Sequence, residues 1–137
     1  MRSFLLDTFA TLRIANGDPI RERAARALRE LDGPGAGVMV SPVTAWELAM
    51  LEEQGRIALS IAPGAWFERF CALPGVTLAE MPPAVLIASC ALPGAPPADP
   101  VARILAATAR ATGCTLVTRD RRLLDYGAEG HLRVLGC

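Results

Sequence analysis

Short runs of consecutive apolar residues alternate along this chain with longer stretches in which apolar positions recur every three or four residues. The first pattern predicts fully buried strands and the second predicts helices with one buried face. Ser3-Phe4-Leu5-Leu6 is the first such strand, ending at Asp7, and Thr8 to Ile14 starts a helix. After the turn Asn16-Gly17-Asp18-Pro19, residues 19 to 31 place Ile20, Ala24, Ala27, Leu28 and Leu31 on one face and mostly Arg and Glu on the other. Gly33-Pro34-Gly35 breaks that helix, Val38-Met39-Val40 is a second strand, and Ser41-Pro42 opens a helix over Val43 to Gln54. Residues 57 to 61 read as a linker. A short helix carries Trp66, Phe67, Phe70 and Leu73, and Val76 to Ala79 is a third strand. A helix over Ala84 to Leu92 and the stiff loop Pro93-Gly94-Ala95-Pro96-Pro97 then lead to the stretch that organises the rest.

That stretch is residues 99 to 120. Asp99-Pro100 is a strong helix start, because the carboxylate caps free backbone N–H groups and proline suits the first helical position. Ile104, Leu105, Thr108 and Ala109 keep helical spacing, and Gly113 supplies the left-handed residue at the end. Thr115-Leu116-Val117-Thr118 is a buried strand that delivers Asp120 just past its end. A helix over Arg121 to Tyr126 and a last strand, Leu132 to Leu135, close the pattern. Alternating strands and helices predict an α/β fold with a mostly parallel sheet, flanked by helices and joined by right-handed crossovers. The proline and glycine clusters mark element boundaries, so residues 1–137 form one domain.

Composition narrows the chemistry. The 137 residues are 52% hydrophobic with formal net charge +0, enough for a real core and too neutral for sequence-blind nucleic-acid binding by the whole surface. All 14 basic residues are Arg, which removes the P-loop lysine and Schiff-base chemistry. His131 is the single histidine, so a Ser-His-Asp triad or a His-rich zinc site has no second partner to draw on. Cys71, Cys90, Cys114 and Cys137 are widely spaced and read as incidental or buried thiols in a reducing cytoplasm. No signal peptide or membrane-length apolar run is visible, which predicts a cytoplasmic protein without a membrane partner.

Four acids fall at one edge of the predicted sheet. Asp7 and Asp120 follow strands, Asp99 begins the central helix, and Glu47 lies in the helix after the second strand. Carboxylates crowded together repel and need a cation, and an oxygen-only set suits Mg²⁺ or Mn²⁺. Such an ion activates water and stabilises charge on a phosphodiester, so metal-assisted hydrolysis is the simplest chemistry. The competing structural reading makes Asp99 and Asp120 helix caps and Glu47 a partly solvated charge.

The motifs carrying these acids resemble those of PIN-domain proteins. Leu5-Leu6-Asp7-Thr8 is similar to the family's opening motif, and Val40-Ser41-Pro42-Val43-Thr44-Ala45-Trp46-Glu47-Leu48-Ala49 to its second. Asp99-Pro100-Val101-Ala102-Arg103-Ile104-Leu105 resembles the central helix, and Leu116-Val117-Thr118-Arg119-Asp120 the late strand motif. The order and spacing agree over nearly the whole chain, most closely with VapC-type toxins of toxin–antitoxin pairs. The resemblance implies a Mg²⁺- or Mn²⁺-dependent endoribonuclease that acts on RNA, forms a homodimer and is neutralised by a cognate VapB-like antitoxin. It implies Asp7, Glu47, Asp99 and Asp120 as the catalytic and metal-holding acids. Two positions depart from the family pattern. Ala102 stands where most PIN domains keep their third acid, with Asp99 three residues earlier near the same helix face, and Phe9 stands where this subgroup often has His.

Around these acids, Thr118 and Thr8 are expected to support the carboxylates. Arg103, Arg119, Arg121 and Arg122 border the crevice, either as phosphate contacts for single-stranded RNA or as a solvated rim. Trp46, Trp66, Phe67 and Phe70 read as core or partner surface rather than base-stacking platforms. Trp46, Met50, Leu51, Trp66 and Phe70 are expected to supply an apolar surface for an antitoxin helix. Ala102 keeps a second reading open, a PIN-fold protein with little or no catalysis that acts by binding antitoxin or RNA. A receiver-like phosphorylation domain also places acids at strand ends, but needs a lysine that this chain lacks.

Overall fold

The structure, a computed structural model, describes residues 3–31 and 37–137, and the expected Gly33-Pro34-Gly35 break lies outside the described residues. Five strands form one sheet: β1 (Ser3–Leu6), β2 (Gly37–Val40), β3 (Val76–Leu78), β4 (Thr115–Thr118) and β5 (Val134–Gly136). Their order is β3-β2-β1-β4-β5 and every pairing is parallel. The chain thus winds outward from β1 through β2 to β3, then returns to the other side of β1. The reversal falls between β1 and β4, and ligands of open α/β sheets bind in the crevice beyond the strands at such a point.

Among the described residues, seven helices cover the two faces: α1 (Thr8–Asn16), α2 (Glu22–Arg29), α3 (Pro42–Glu53), α4 (Pro63–Cys71), α5 (Pro83–Ser89), α6 (Pro100–Thr112) and α7 (Arg121–Ala128). Adjacent strand residues point to opposite faces, which divides the core in two. Leu5 and Leu116 pack with Leu105, Ala106 and Ala109 of α6 and with Leu123 and Tyr126 of α7. Phe4, Leu6, Val40 and Val117 pack with Ala10 of α1, Ala24 of α2 and the buried Phe67 and Phe70 of α4. Burying each large apolar side chain contributes about 1.5–3 kcal/mol against leaving it exposed. The alanines of α6 let its backbone lie close to the sheet, which fixes where Asp99 stands.

Several element boundaries shift from the sequence reading, the helix expected over 84–92 ending already at Ser89, and two of the shifts have visible physical reasons. The helix expected over residues 19 to 31 begins at Glu22, and Asp18-Pro19 does not cap it. Instead the Pro19 carbonyl accepts a 2.9 Å hydrogen bond from Arg13 Nη2, and the Arg21 N–H donates to the Cys137 carbonyl at 3.2 Å, so this segment is spent on tertiary contacts. The last strand is Val134–Gly136 rather than 132 to 135, because Leu116 pairs with Val134 and Thr118 with Gly136. Leu132 is buried ahead of the strand.

Candidate active site

Three of the acids reach the crevice as helix caps, and Glu47 from the second turn of α3. Asp7 follows β1 directly and caps α1, its Oδ1 accepting from the Ala10 N–H at 2.7 Å. Asp99 caps α6, accepting at Oδ2 from the Ala102 N–H at 2.9 Å, with Pro100 in the first turn. Asp120 caps α7, accepting at Oδ1 from the Arg122 N–H at 2.9 Å. Glu47 sits on α3, which Ser41 caps through a 3.1 Å bond from the Val43 N–H. The loop before Asp99 is pinned from two sides. Tyr126 donates its hydroxyl to the Pro93 carbonyl at 2.6 Å, and Arg103 Nε donates to the Pro97 carbonyl at 2.7 Å.

Asp7, Glu47, Asp99 and Asp120 line one cleft of about 570 Å³. Asp7 is its buried centre. Asp7 Oδ2 accepts a 2.5 Å hydrogen bond from Thr118 Oγ1, which itself accepts from the Asp120 N–H at 3.0 Å. One hydroxyl therefore joins the first acid to the backbone of the last. Desolvation raises the Asp7 carboxyl above its ordinary range, the Thr118 and Ala10 bonds pull it back, and the charge of Asp120 pushes it up again. Glu47 is half-buried and also raised, first by burial and then by repulsion from Asp99 and Asp7. Thr8 stands close enough for its hydroxyl to favour ionised Glu47, yet makes no hydrogen bond of proper geometry, and its Oγ1 is buried without a partner. Thr44, one helical turn before Glu47, has an unpartnered buried hydroxyl as well.

The acids share a cleft but not a closed ligand shell. Among the described residues no three Asp, Glu, His or Cys side chains form a ready cation-holding group. Asp7, Asp99 and Asp120 each turn one oxygen to a backbone amide as a helix cap.

The arginines divide. Arg119 lines the cleft. Arg103 directs its guanidinium at the carbonyls of Pro97 and, at 3.4 Å, Ser89. Arg121 points to solvent beside Asp125 at 3.5 Å, and Arg122 stands 3.8 Å from the Asp120 carboxylate. Of the expected partner surface, Leu51 and Phe70 are core, Trp66 stacks on Phe70 with centroids 5.8 Å apart, and Trp46 stays 57% exposed. Among the charged and aromatic residues of the cleft wall, Arg13, Asp18 and Phe9 escaped the sequence reading of the site. Leu12 and Arg13 follow Phe9 at i+3 and i+4, and that periodicity is the signal that could have found them.

This constellation at the switch point of a parallel sheet defines an acidic-cleft α/β protein. Residues 4–129 match the family model of the PIN domain, and the chain belongs to that family. PIN domains are generally nucleases and generally depend on divalent metals. No curated protein matches the sequence. Among solved structures, the fold is similar to that of VapBC2 from Rickettsia felis bound to a DNA fragment from its promoter, at 14% identity over 98% of both chains with a TM-score of 0.68. It is similar also to DNA-bound VapBC from Salmonella typhimurium, at 23% identity over 99% of this chain and 98% of that one, TM-score 0.60. FitAcB from Neisseria gonorrhoeae matches at 19% identity over 96% of both chains, TM-score 0.57. No helix among the described residues is long and apolar enough to cross a membrane.

Proposed function

We infer that this PIN domain is a metal-dependent endoribonuclease of VapC type, a toxin of the cytoplasm neutralised by a cognate VapB-like antitoxin. The observation that carries the reading is the meeting of Asp7, Glu47, Asp99 and Asp120 in one cleft of a PIN fold. The donor set is oxygen-only, and the carboxyls of Asp7 and Glu47 are raised first by burial and then by nearby carboxylates, Asp120 for Asp7 and Asp99 and Asp7 for Glu47. Asp7, Glu47, Asp99 and Asp120 are the residues that would hold Mg²⁺ or Mn²⁺, and that ion would supply an activated water and neutralise charge on the phosphodiester. Thr118 holds the Asp7 carboxylate in one orientation. Arg119 places positive charge at the cleft for a phosphate of the RNA. The apolar wall of Val101, Leu105 and Leu123 limits water behind the acids.

The partner reading rests on the structural neighbours, which are VapBC and FitAB complexes, and on Trp46 of α3 and Ile87 of α5, which are 57% and 71% exposed. A homodimer or an antitoxin helix would cover such a surface. Ala102 favours a second reading. It lines the cleft at 4% exposure where an acid would complete the set, and a reduced set suits a PIN-fold protein that binds antitoxin or RNA with little catalysis.

The deciding experiment is RNA cleavage by the purified chain, free of antitoxin. Cutting of single-stranded RNA with Mg²⁺ or Mn²⁺, stopped by chelator and lost in Asp7→Asn, supports the nuclease. Inert wild type together with an active Ala102→Asp variant supports the binding reading.

A further inference from the structure

Phe9 is a large aromatic ring left 47% exposed in the wall of the acidic cleft. It lies on the first turn of α1, two residues after Asp7. Arg13 follows at i+4, so ring and guanidinium are neighbours on one helix face, with Leu12 at i+3 and Ile57 of the loop after α3 lining the same cleft. Phe4, Phe67, Phe70 and Tyr126 are buried in the two cores, whereas Phe9 stands open on the wall of the cleft. Arg13 adds an independent observation. Its Nη2 is tied to the Pro19 carbonyl at 2.9 Å, while its Nε is buried with no acceptor among the described residues. A buried donor without an acceptor is costly, and the rest of the Arg13 side chain lines the cleft wall with Phe9.

We propose that the α1 face of Phe9 and Arg13 is a nucleotide-holding subsite, in which the Phe9 ring stacks on an unpaired base of single-stranded RNA and Arg13 takes an adjacent backbone oxygen. The proposal rests on the nuclease or RNA-binding reading of the cleft and adds the recognition of an unstacked base. Stacking suits the observed chemistry, because an exposed flat ring beside a cation accepts the face of any base. The subsite also fits the position of Arg119, which brings the only other arginine to the described cleft wall. It differs from the core reading of Trp66, Phe67 and Phe70, none of which lines the cleft.

The test uses short single-stranded RNA carrying 2-aminopurine, mixed with the whole protein in Ca²⁺ in place of Mg²⁺, with fluorescence quenching as the direct report of stacking. Wild type should quench the probe. Phe9→Leu, which keeps an apolar side chain at a half-exposed position, should lose the quench and bind about ten-fold more weakly. Phe9→Tyr should keep both, and Arg13→Gln should weaken binding and flatten its salt dependence while keeping the quench. Equal affinity and equal quenching in Phe9→Leu overturns the proposal. So does a Phe9→Leu protein that binds RNA as wild type but no longer forms a complex with its antitoxin, which would make Phe9 part of a protein interface. A wild type that quenches the probe without cutting RNA leaves the subsite standing and removes the nuclease. A wild type that cuts RNA without quenching removes the subsite alone, and one that neither binds nor cuts RNA removes both.

Discussion

Thr118 donates its hydroxyl to Asp7 across the β1–β4 pairing, at 2.5 Å, and the bond follows from register. Leu6 pairs with Val117, and the Asp7 N–H extends the ladder to the Val117 carbonyl at 3.0 Å, so the next residue on β4 stands beside the Asp7 carboxylate. The strand end that makes the sheet continuous also orients the buried acid. Thr118→Val keeps the shape of the side chain and removes this donor together with the acceptor for the Asp120 N–H. It should cost about 1–3 kcal/mol in urea denaturation, since it leaves a buried carboxylate short of a partner. Thr118→Ser should recover most of the loss. A valine variant as stable as wild type would show that the bond is dispensable.

The parts of this arrangement that the sequence made legible are those governed by local chemistry. Asp99-Pro100 caps α6, Gly113 ends it at φ 72°, and Ser41-Pro42 opens α3, because caps and glycine turns are decided within a few residues. Strand residues Leu5, Leu6, Leu116 and Val117 are wholly buried, as unbroken apolar runs demand. What failed was set by distant partners. Asp18-Pro19 carries the same cap signature as Asp99-Pro100, but Arg13 and Cys137 claim its neighbourhood. The bonds from Arg103 to the carbonyls of Pro97 and Ser89 likewise depend on a loop whose path sequence spacing does not show. Phe9 drew attention only as a departure from the family pattern, since exposure cannot be read from a residue type.

The acidic cleft should be most strained when fully ionised. Both Asp7 and Glu47 have folded-state carboxyls raised above their ordinary range, so the folded protein holds their protons more tightly than the unfolded chain. Their influence on stability is favourable below the unfolded values, about pH 4 for carboxyls, and is lost as pH rises through the folded values. Glu47→Gln removes one of these charges. Without metal it should raise the Tm at pH 7 by about 1–3 °C, with the difference closing toward pH 4. Thermal denaturation across pH checks this, and a variant less stable than wild type at neutral pH would contradict the repulsion.

β5 is held against α7 by a glycine. A Cβ at Gly127 would stand 2.4 Å from Val134 Cγ2, 2.9 Å from Val134 Cγ1 and 3.2 Å from the Leu132 carbonyl. Val134 is the residue that pairs with Leu116, so it cannot retreat without disturbing the β4–β5 ladder. Gly127→Ala should therefore destabilise the fold by about 1–3 kcal/mol, although alanine is the better helix former. The paired change Gly127→Ala with Val134→Ala should restore part of the loss. Measured alone, a stable Gly127→Ala protein would mean that α7 shifts freely over the sheet.

Ala102 sets the last test. It lies within the α6 core cluster and also lines the cleft one helical turn after Asp99, so a carboxylate introduced there reaches the acids but loses much of its hydration. Without a divalent ion, Ala102→Asp should be less stable than wild type, because it adds charge to a site where Asp7 and Glu47 are already raised. With Mg²⁺ or Mn²⁺ the order of the gains should reverse. The added oxygen donor strengthens binding, and ligand at about 100 times its dissociation constant stabilises a fold by about 2.7 kcal/mol. The metal-induced rise in Tm should thus be larger in Ala102→Asp than in wild type and nearly absent in Asp7→Asn. Chelator should return each protein to its metal-free value. Equal metal shifts in wild type and in Asp7→Asn would place the ion elsewhere and remove the cleft as the metal site, whatever the activity of the three proteins on RNA.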